Sequence, residues 1–163
     1  MIDPLFYWIF LGSCSVFVLL RGGPPERVAI AIAIAASALT VALGPIAGED
    51  RYRTVQIGVF MVDLATLAAF GALALLADRY WPLWITGIHM IGVATHSAKL
   101  LDPAIVPKVY GATQALWSYP ILALIVIGTI RHRRRLRRFG ADSSWTRYSG
   151  PAGRNSRRAG PNV

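Results

Sequence analysis

Five long apolar stretches, separated by short polar segments, make up the first 130 residues of the chain. About 20 mostly apolar residues are enough for a helix to cross the hydrocarbon core of a membrane. We therefore predict an all-α fold, a bundle of five transmembrane helices at about residues 4–20, 28–46, 55–77, 81–101 and 109–130. The second stretch alternates Ala and Ile like a strand, but its length and lack of polar residues favour a helix.

Glycine and proline set the predicted helix boundaries. Gly22, Gly23 and the two prolines after them are expected to end the first helix, because proline cannot continue a helix. Asp102 precedes a proline, which disfavours helical geometry and ends the fourth helix. Pro120 falls in the middle of the predicted fifth helix, where it removes one backbone hydrogen bond and predicts a kink.

A basic block follows the fifth stretch directly. Its arginines are Arg131, Arg133, Arg134, Arg135, Arg137 and Arg138. Cytoplasmic flanks of membrane helices are enriched in Lys and Arg, so five spans predict an outside N-terminus and a cytoplasmic C-terminus. We expect residues 1–130 to form the transmembrane domain and residues 131–163 an Arg-rich, mostly disordered cytoplasmic tail, because the tail offers little apolar surface to bury.

The amino-acid composition agrees with a membrane protein, and the cysteine count excludes a disulfide-stabilised fold. The chain is 55% hydrophobic with a mean hydropathy of +0.48, which is too apolar for an ordinary soluble domain. Ten of its 17 basic residues follow residue 130, so the net charge of +9 belongs to the tail. The single cysteine, Cys14, excludes an intrachain disulfide. The short loops and the Ala and Arg content suggest a bacterial inner-membrane protein that crosses the bilayer several times.

Polar side chains inside the predicted spans are the candidate site. They are Asp63, His89, His96, Gln114 and Ser118. At about 1.5 Å per residue, all except the deeper His89 fall roughly 8–14 Å below the outer surface. Helices three, four and five are joined by short loops and are expected to be neighbours. Lys99 lies near the end of its helix, where its side chain can snorkel to the surface.

Two interpretations of this layer stay open. Asp63 and His96 can form an interhelical clamp, since such hydrogen bonds stabilise helix packing by roughly 0.6–2 kcal/mol. Alternatively, they can share a proton in a small proton-coupled carrier or a ligand-binding membrane protein. A haem between a histidine and Met61 is a weaker alternative, and no metal or other cofactor is predicted. No hydrolase or nucleotide-binding motif is present.

The leading hypothesis is therefore a non-enzymatic accessory or structural membrane protein with an intramembrane polar clamp. The carrier or ligand-binding protein is the alternative, and a haem protein or membrane-embedded enzyme is less favoured. Expected partners are the lipid bilayer and, through the arginines, anionic lipid headgroups. A partner membrane protein or a second copy of the chain stays open, and nucleic acid is not expected.

Overall fold

The computed structural model describes residues 4–44, 55–102, 104–105, 110, 116–140, 142 and 144–145. Five helices account for most of these residues: α1 (Pro4–Arg21), α2 (Pro24–Leu43), α3 (Ile57–Leu76), α4 (Trp81–Leu101) and α5 (Ser118–Phe139). The described part of the chain contains no strand, only one antiparallel bridge between Ala77 and Trp145. The all-helical class is as predicted, and α4 has the predicted bounds.

The helices pack in chain order, and the last one closes the bundle. Each helix contacts the next, while α5 packs against α4, α1 and α2. Helices three, four and five were expected to be neighbours: α3 packs against α4 and α4 against α5, whereas α3 and α5 do not pack together within the described residues. Fully buried side chains such as Val18, Ile30, Ile85 and Ile125 form the core between the helices.

The second helix begins earlier than predicted, because its prolines start it rather than separate it from α1. Pro24 and Pro25 occupy the first two positions of α2, and Gly23 is its N-cap in extended geometry. The first turn of a helix has no intrahelical partner for its N–H groups, so the missing N–H of proline costs nothing there. Only Gly22 and Gly23 separate α1 from α2.

The fifth helix is shifted toward the C-terminus relative to the prediction of 109–130. It begins at Ser118, which places Pro120 in the first turn, where no kink is required. The helix continues to Phe139 and includes the whole arginine block. Gly140 ends it with φ +70°, the left-handed conformation that glycine adopts without strain. Residues 146–163 of the predicted tail lie outside the described residues.

Two helices, α2 and α3, are long and apolar enough to cross a membrane, judged by length and composition over the described residues. In α4 the polar side chains of His89, His96 and Lys99 lower the hydropathy, and α5 ends in arginines. Large apolar side chains are nevertheless exposed on the first four helices. Examples are Leu5, Ile9, Leu20, Val41, Leu75, Leu83 and Trp84. Apolar surface of this kind points to association with a membrane, whereas the five-span arrangement stays a prediction.

Candidate functional site

The candidate site is centred on a contact between α3 and α4. Nε2 of His96 lies 2.7 Å from Oδ2 of Asp63. The His96 side chain is 3% exposed, while that of Asp63 is 18% exposed. The two positions are 33 residues apart in the chain, and the helical hairpin brings them to the same level. The structure thus contains the interhelical pair that the depth argument placed in one layer.

Tyr110 extends this pair into a chain of three polar groups. Its hydroxyl is hydrogen-bonded to Nδ1 of His96, and its ring meets the imidazole edge to face with centroids 5.5 Å apart. The ring of Phe60 lies 5.5 Å from the same imidazole. His96 is therefore held by a carboxylate on one nitrogen, a phenol on the other and aromatic rings beside it. A buried polar group needs such partners, because an unsatisfied one costs about 1–3 kcal/mol.

His89 also reaches α3, but through the backbone. Its Nε2 lies 3.0 Å from the carbonyl oxygen of Asp63, and its ring is nearly perpendicular to that of Phe70, with centroids 5.6 Å apart. Both histidines of α4 therefore attach to the same residue of α3, one to its side chain and one to its main chain. The two bonds fix the rotation and height of α4 relative to α3.

Lys99 and Ser118 differ from the predicted arrangement. Lys99 is buried rather than snorkelling, and its Nζ donates to the carbonyl of Ile105 at 2.6 Å. Ser118 lies within hydrogen-bonding reach of the Tyr7 hydroxyl, which also bonds to Ser37 at 2.7 Å. Ser118 therefore belongs to the packing of α5 against α1 and α2, away from Asp63. Gln114 lies outside the described residues.

The arrangement of His96 does not favour the haem alternative. Both of its ring nitrogens are engaged in hydrogen bonds, to Asp63 and to Tyr110. Met61, the other suggested ligand, is 51% exposed. Axial ligation of iron by His96 would require the loss of one of these bonds. Among the described residues, no group of three or more His, Cys, Asp or Glu side chains is arranged to hold a metal ion.

A second polar cluster lies at the other end of the bundle, where α1, α3 and α5 end. The chain turns at Gly140 and brings Asp142 back against α5 and the α3–α4 connection. Oδ2 of Asp142 lies 2.6 Å from Arg79 Nη2 and 2.6 Å from His132 Nδ1, and its Oδ1 lies 3.0 Å from Arg135 Nε. The Asp142 carboxylate is therefore shared by two arginines and a histidine.

Glu26 is the buried acidic residue beside this cluster. It is 0% exposed, and its Oε1 lies 3.9 Å from Arg79 Nε. Gly23 has no side chain and so leaves room for the side chains of His132 and Glu26. A Cβ at this position would lie 2.9 Å from His132 Nε2 and 3.0 Å from Glu26 Oε2. Burying a carboxylate is expensive unless charge compensates it. Arg79 lies between Glu26 and Asp142, but it forms only this long ion pair with Glu26, whose two carboxylate oxygens have no hydrogen-bond partner among the described residues.

Sequence reasoning missed this second cluster. Arg79 lies between the third and fourth predicted helices and was not a candidate, and His132 and Asp142 fall within the predicted tail. The useful signal was that Glu26 and Arg79 are charged residues at helix ends, which require partners if buried. The partner of Arg79 is 63 residues away in the chain, beyond any helical periodicity.

Comparisons with known proteins add no family to this geometry. No protein-family model matches the chain, and neither a curated protein nor a solved structure shows significant similarity to it.

Proposed function

We propose that the chain is a small multi-pass protein of the bacterial inner membrane with a structural or accessory, non-enzymatic role. In this proposal all five helices span the bilayer, the N-terminus is outside and the arginine block is cytoplasmic. Exposed apolar side chains on α1 to α4 support lipid contact. The arginines directly after the apolar part of α5 support the orientation.

The observation that supports the structural role is the bonding of His96. Each ring nitrogen has one partner, Asp63 on one side and Tyr110 on the other. The donors and acceptors of the imidazole are therefore used within the chain. An interhelical clamp needs this arrangement, because a hydrogen bond between helices stabilises a bundle only when both groups are paired.

A double-mutant cycle tests the clamp. Asp63→Leu and His96→Leu should each destabilise the protein in detergent, and the double variant should lose less than the sum, with a coupling of about 1 kcal/mol. A matched control pairs Asp63→Leu with His132→Leu, whose partner is Asp142 at the other end of the bundle. The control pair should be additive. Additive effects for Asp63 and His96 as well would disprove the clamp.

The second candidate is a proton-coupled carrier or a ligand-binding membrane protein. One observation favours it: a carboxylate, an imidazole and a phenol lie in series, and the carboxylate end is the more exposed. Asp63→Asn distinguishes the two roles, because Asn keeps the hydrogen-bonding shape and removes the charge. A clamp should retain its stability in this variant, as measured by thermal unfolding. A proton-handling site should lose pH-driven uptake in proteoliposomes while the protein stays folded.

A further inference from the structure

We propose that a groove between α1 and α5 binds the phosphate headgroup and upper acyl chain of an anionic phospholipid. The groove encloses about 220 Å³ and is lined by Phe17, Arg21, Ile130, Arg133, Arg134 and Arg137. One water needs only about 10–15 Å³ of such space, so a much larger group fits. The proposal rests on the membrane location proposed above and goes beyond it by naming a lipid class and a site.

The helical geometry explains why these residues meet. Ile130, Arg133, Arg134 and Arg137 are spaced by three and four along α5 and therefore share one face. Phe17 and Arg21 are four apart on α1 and share a face in the same way. Arg21 is the last residue of α1 and the arginines of α5 follow its apolar part. Both helices thus bring an apolar residue and, one turn further along, a guanidinium group to the same groove.

The groove is apolar on one side and positively charged on the other, which matches the acyl chain and the anionic headgroup of a phospholipid. Phe17 and Ile130 are exposed in its floor at 37% and 38%, and they lie on the bilayer side of the arginines. An acyl chain can cover these apolar side chains while its phosphate lies among the guanidinium groups. Guanidinium binds phosphate oxygens with paired, charge-assisted hydrogen bonds. A soluble phosphate would leave the apolar floor uncovered.

Among the described residues the arginines of the groove have no acidic partner, unlike those of the neighbouring cluster. Arg79 and Arg135 face Asp142. Within the part of the chain that the structure describes, no carboxylate lies within ion-pairing distance of Arg21, Arg133, Arg134 or Arg137. The arginines of the block therefore face different neighbours because they lie on different faces of α5. Arg135 stabilises the protein, while Arg133, Arg134 and Arg137 are available to a ligand of opposite charge.

Lipid titration of the full-length protein in a neutral detergent tests the site. Phosphatidylglycerol should raise the thermal unfolding midpoint of the unaltered protein, whereas phosphatidylcholine and free inorganic phosphate should not. The apparent affinity for phosphatidylglycerol is then compared between two variants of equal charge. R134Q/R137Q removes two groove arginines, and R131Q/R138Q removes two arginines of the same block outside the groove.

The groove variant should bind phosphatidylglycerol about 25-fold more weakly, since one arginine near a membrane surface changes affinity about fivefold. The R131Q/R138Q variant should bind like the unaltered protein. R21Q lies outside the block, yet it should weaken binding about fivefold, because Arg21 lines the same groove. These arginines make no ion pair in the described structure, so the variants should fold, which circular dichroism and gel filtration can verify.

Three results would overturn the proposal. Equal losses in the two double variants would show attraction to the block as a whole and no defined site. If free phosphate stabilised the protein equally, the ligand would not be a lipid. If phosphatidylglycerol had no effect on the unaltered protein, the groove would not be a binding site. Carbonate extraction separates these failures from that of the membrane location. If the protein stays in carbonate-washed membranes but does not respond to phosphatidylglycerol, only the groove proposal is refuted. If carbonate releases the protein, both the groove proposal and the membrane location are refuted.

Discussion

Nη2 of Arg79 lies 2.6 Å from Oδ2 of Asp142, and the two side chains are only 3% and 5% exposed. Arg79 precedes α4, and Asp142 follows α5. This ion pair therefore joins the middle of the chain to the segment after the last helix. Replacing one partner of a buried pair leaves the other charge buried without compensation, which is costlier than the pair itself is worth.

Asp142→Ala should lower the free energy of unfolding by about 3–5 kcal/mol, because Arg79 and His132 lose their shared acceptor. Truncation after Gly140 should have a similar effect, although the sequence alone predicts a mostly disordered tail in this region. Truncation after Trp145 is the control, since it keeps Asp142 and the bridge to Ala77. Thermal unfolding in detergent gives the comparison, and equal stability of the two truncated proteins would contradict the role of Asp142.

Gly128→Ala should destabilise the bundle by about 1–3 kcal/mol. A Cβ at Gly128 would lie 2.9–3.1 Å from the indole ring of Trp81, and a large buried ring cannot move aside as a flexible side chain would. Gly71→Ala is the matched control, since its Cβ would meet nothing within 4 Å. Alanine favours helix over glycine by roughly 1 kcal/mol, so that variant should be equally or more stable. A neutral effect at Gly128 would refute the close packing of α4 on α5.

Tyr110→Phe should cost about 1–3 kcal/mol, because it removes the phenol that partners Nδ1 of buried His96. Tyr80→Phe provides the control: Tyr80 is 85% exposed, so its change should leave the unfolding midpoint unaltered. The same midpoint for both variants would show that the phenol does not help to hold His96.

The topology can be tested by reporter fusions. A cytoplasm-specific reporter fused after Val163 should be active, because the arginine block disfavours transfer across the membrane. A periplasm-specific reporter at the same position should be silent. Fusions in each loop should alternate between the two compartments and give five spans. Periplasmic activity at the C-terminus, or a count of four or six spans, would reject the proposed arrangement.

The parts that were predictable from the sequence depend on local rules. The bounds of α4 follow from its length and from Pro103, and the contact between Asp63 and His96 follows from depth along two adjacent helices. Pro24 and Pro120 were misplaced because proline suits the first turn of a helix as well as its end. Only the true start of each helix distinguishes the two cases.

The remaining contacts depend on how the helices are arranged around one another. Ser118 was assigned to the layer of Asp63 by depth, but depth does not specify which helices are neighbours. The structure places α5 beside α1 and α2, so Ser118 meets Tyr7 instead. The contacts of Asp142 could be predicted only by knowing that the chain turns at Gly140, and no hydrophobic pattern indicates that turn.

The distance along the chain between Arg79 and Asp142 also determines when this end of the protein can form during synthesis. Asp142 is made 63 residues after Arg79, which at about 5–20 residues per second takes roughly 3–13 s. During that interval α4 is synthesised while Arg79 still lacks the Asp142 carboxylate, whereas Glu26, which forms the longer ion pair with Arg79, has already been made. The α3–α4 connection therefore reaches its final form only after α5 and the segment that follows it have been synthesised.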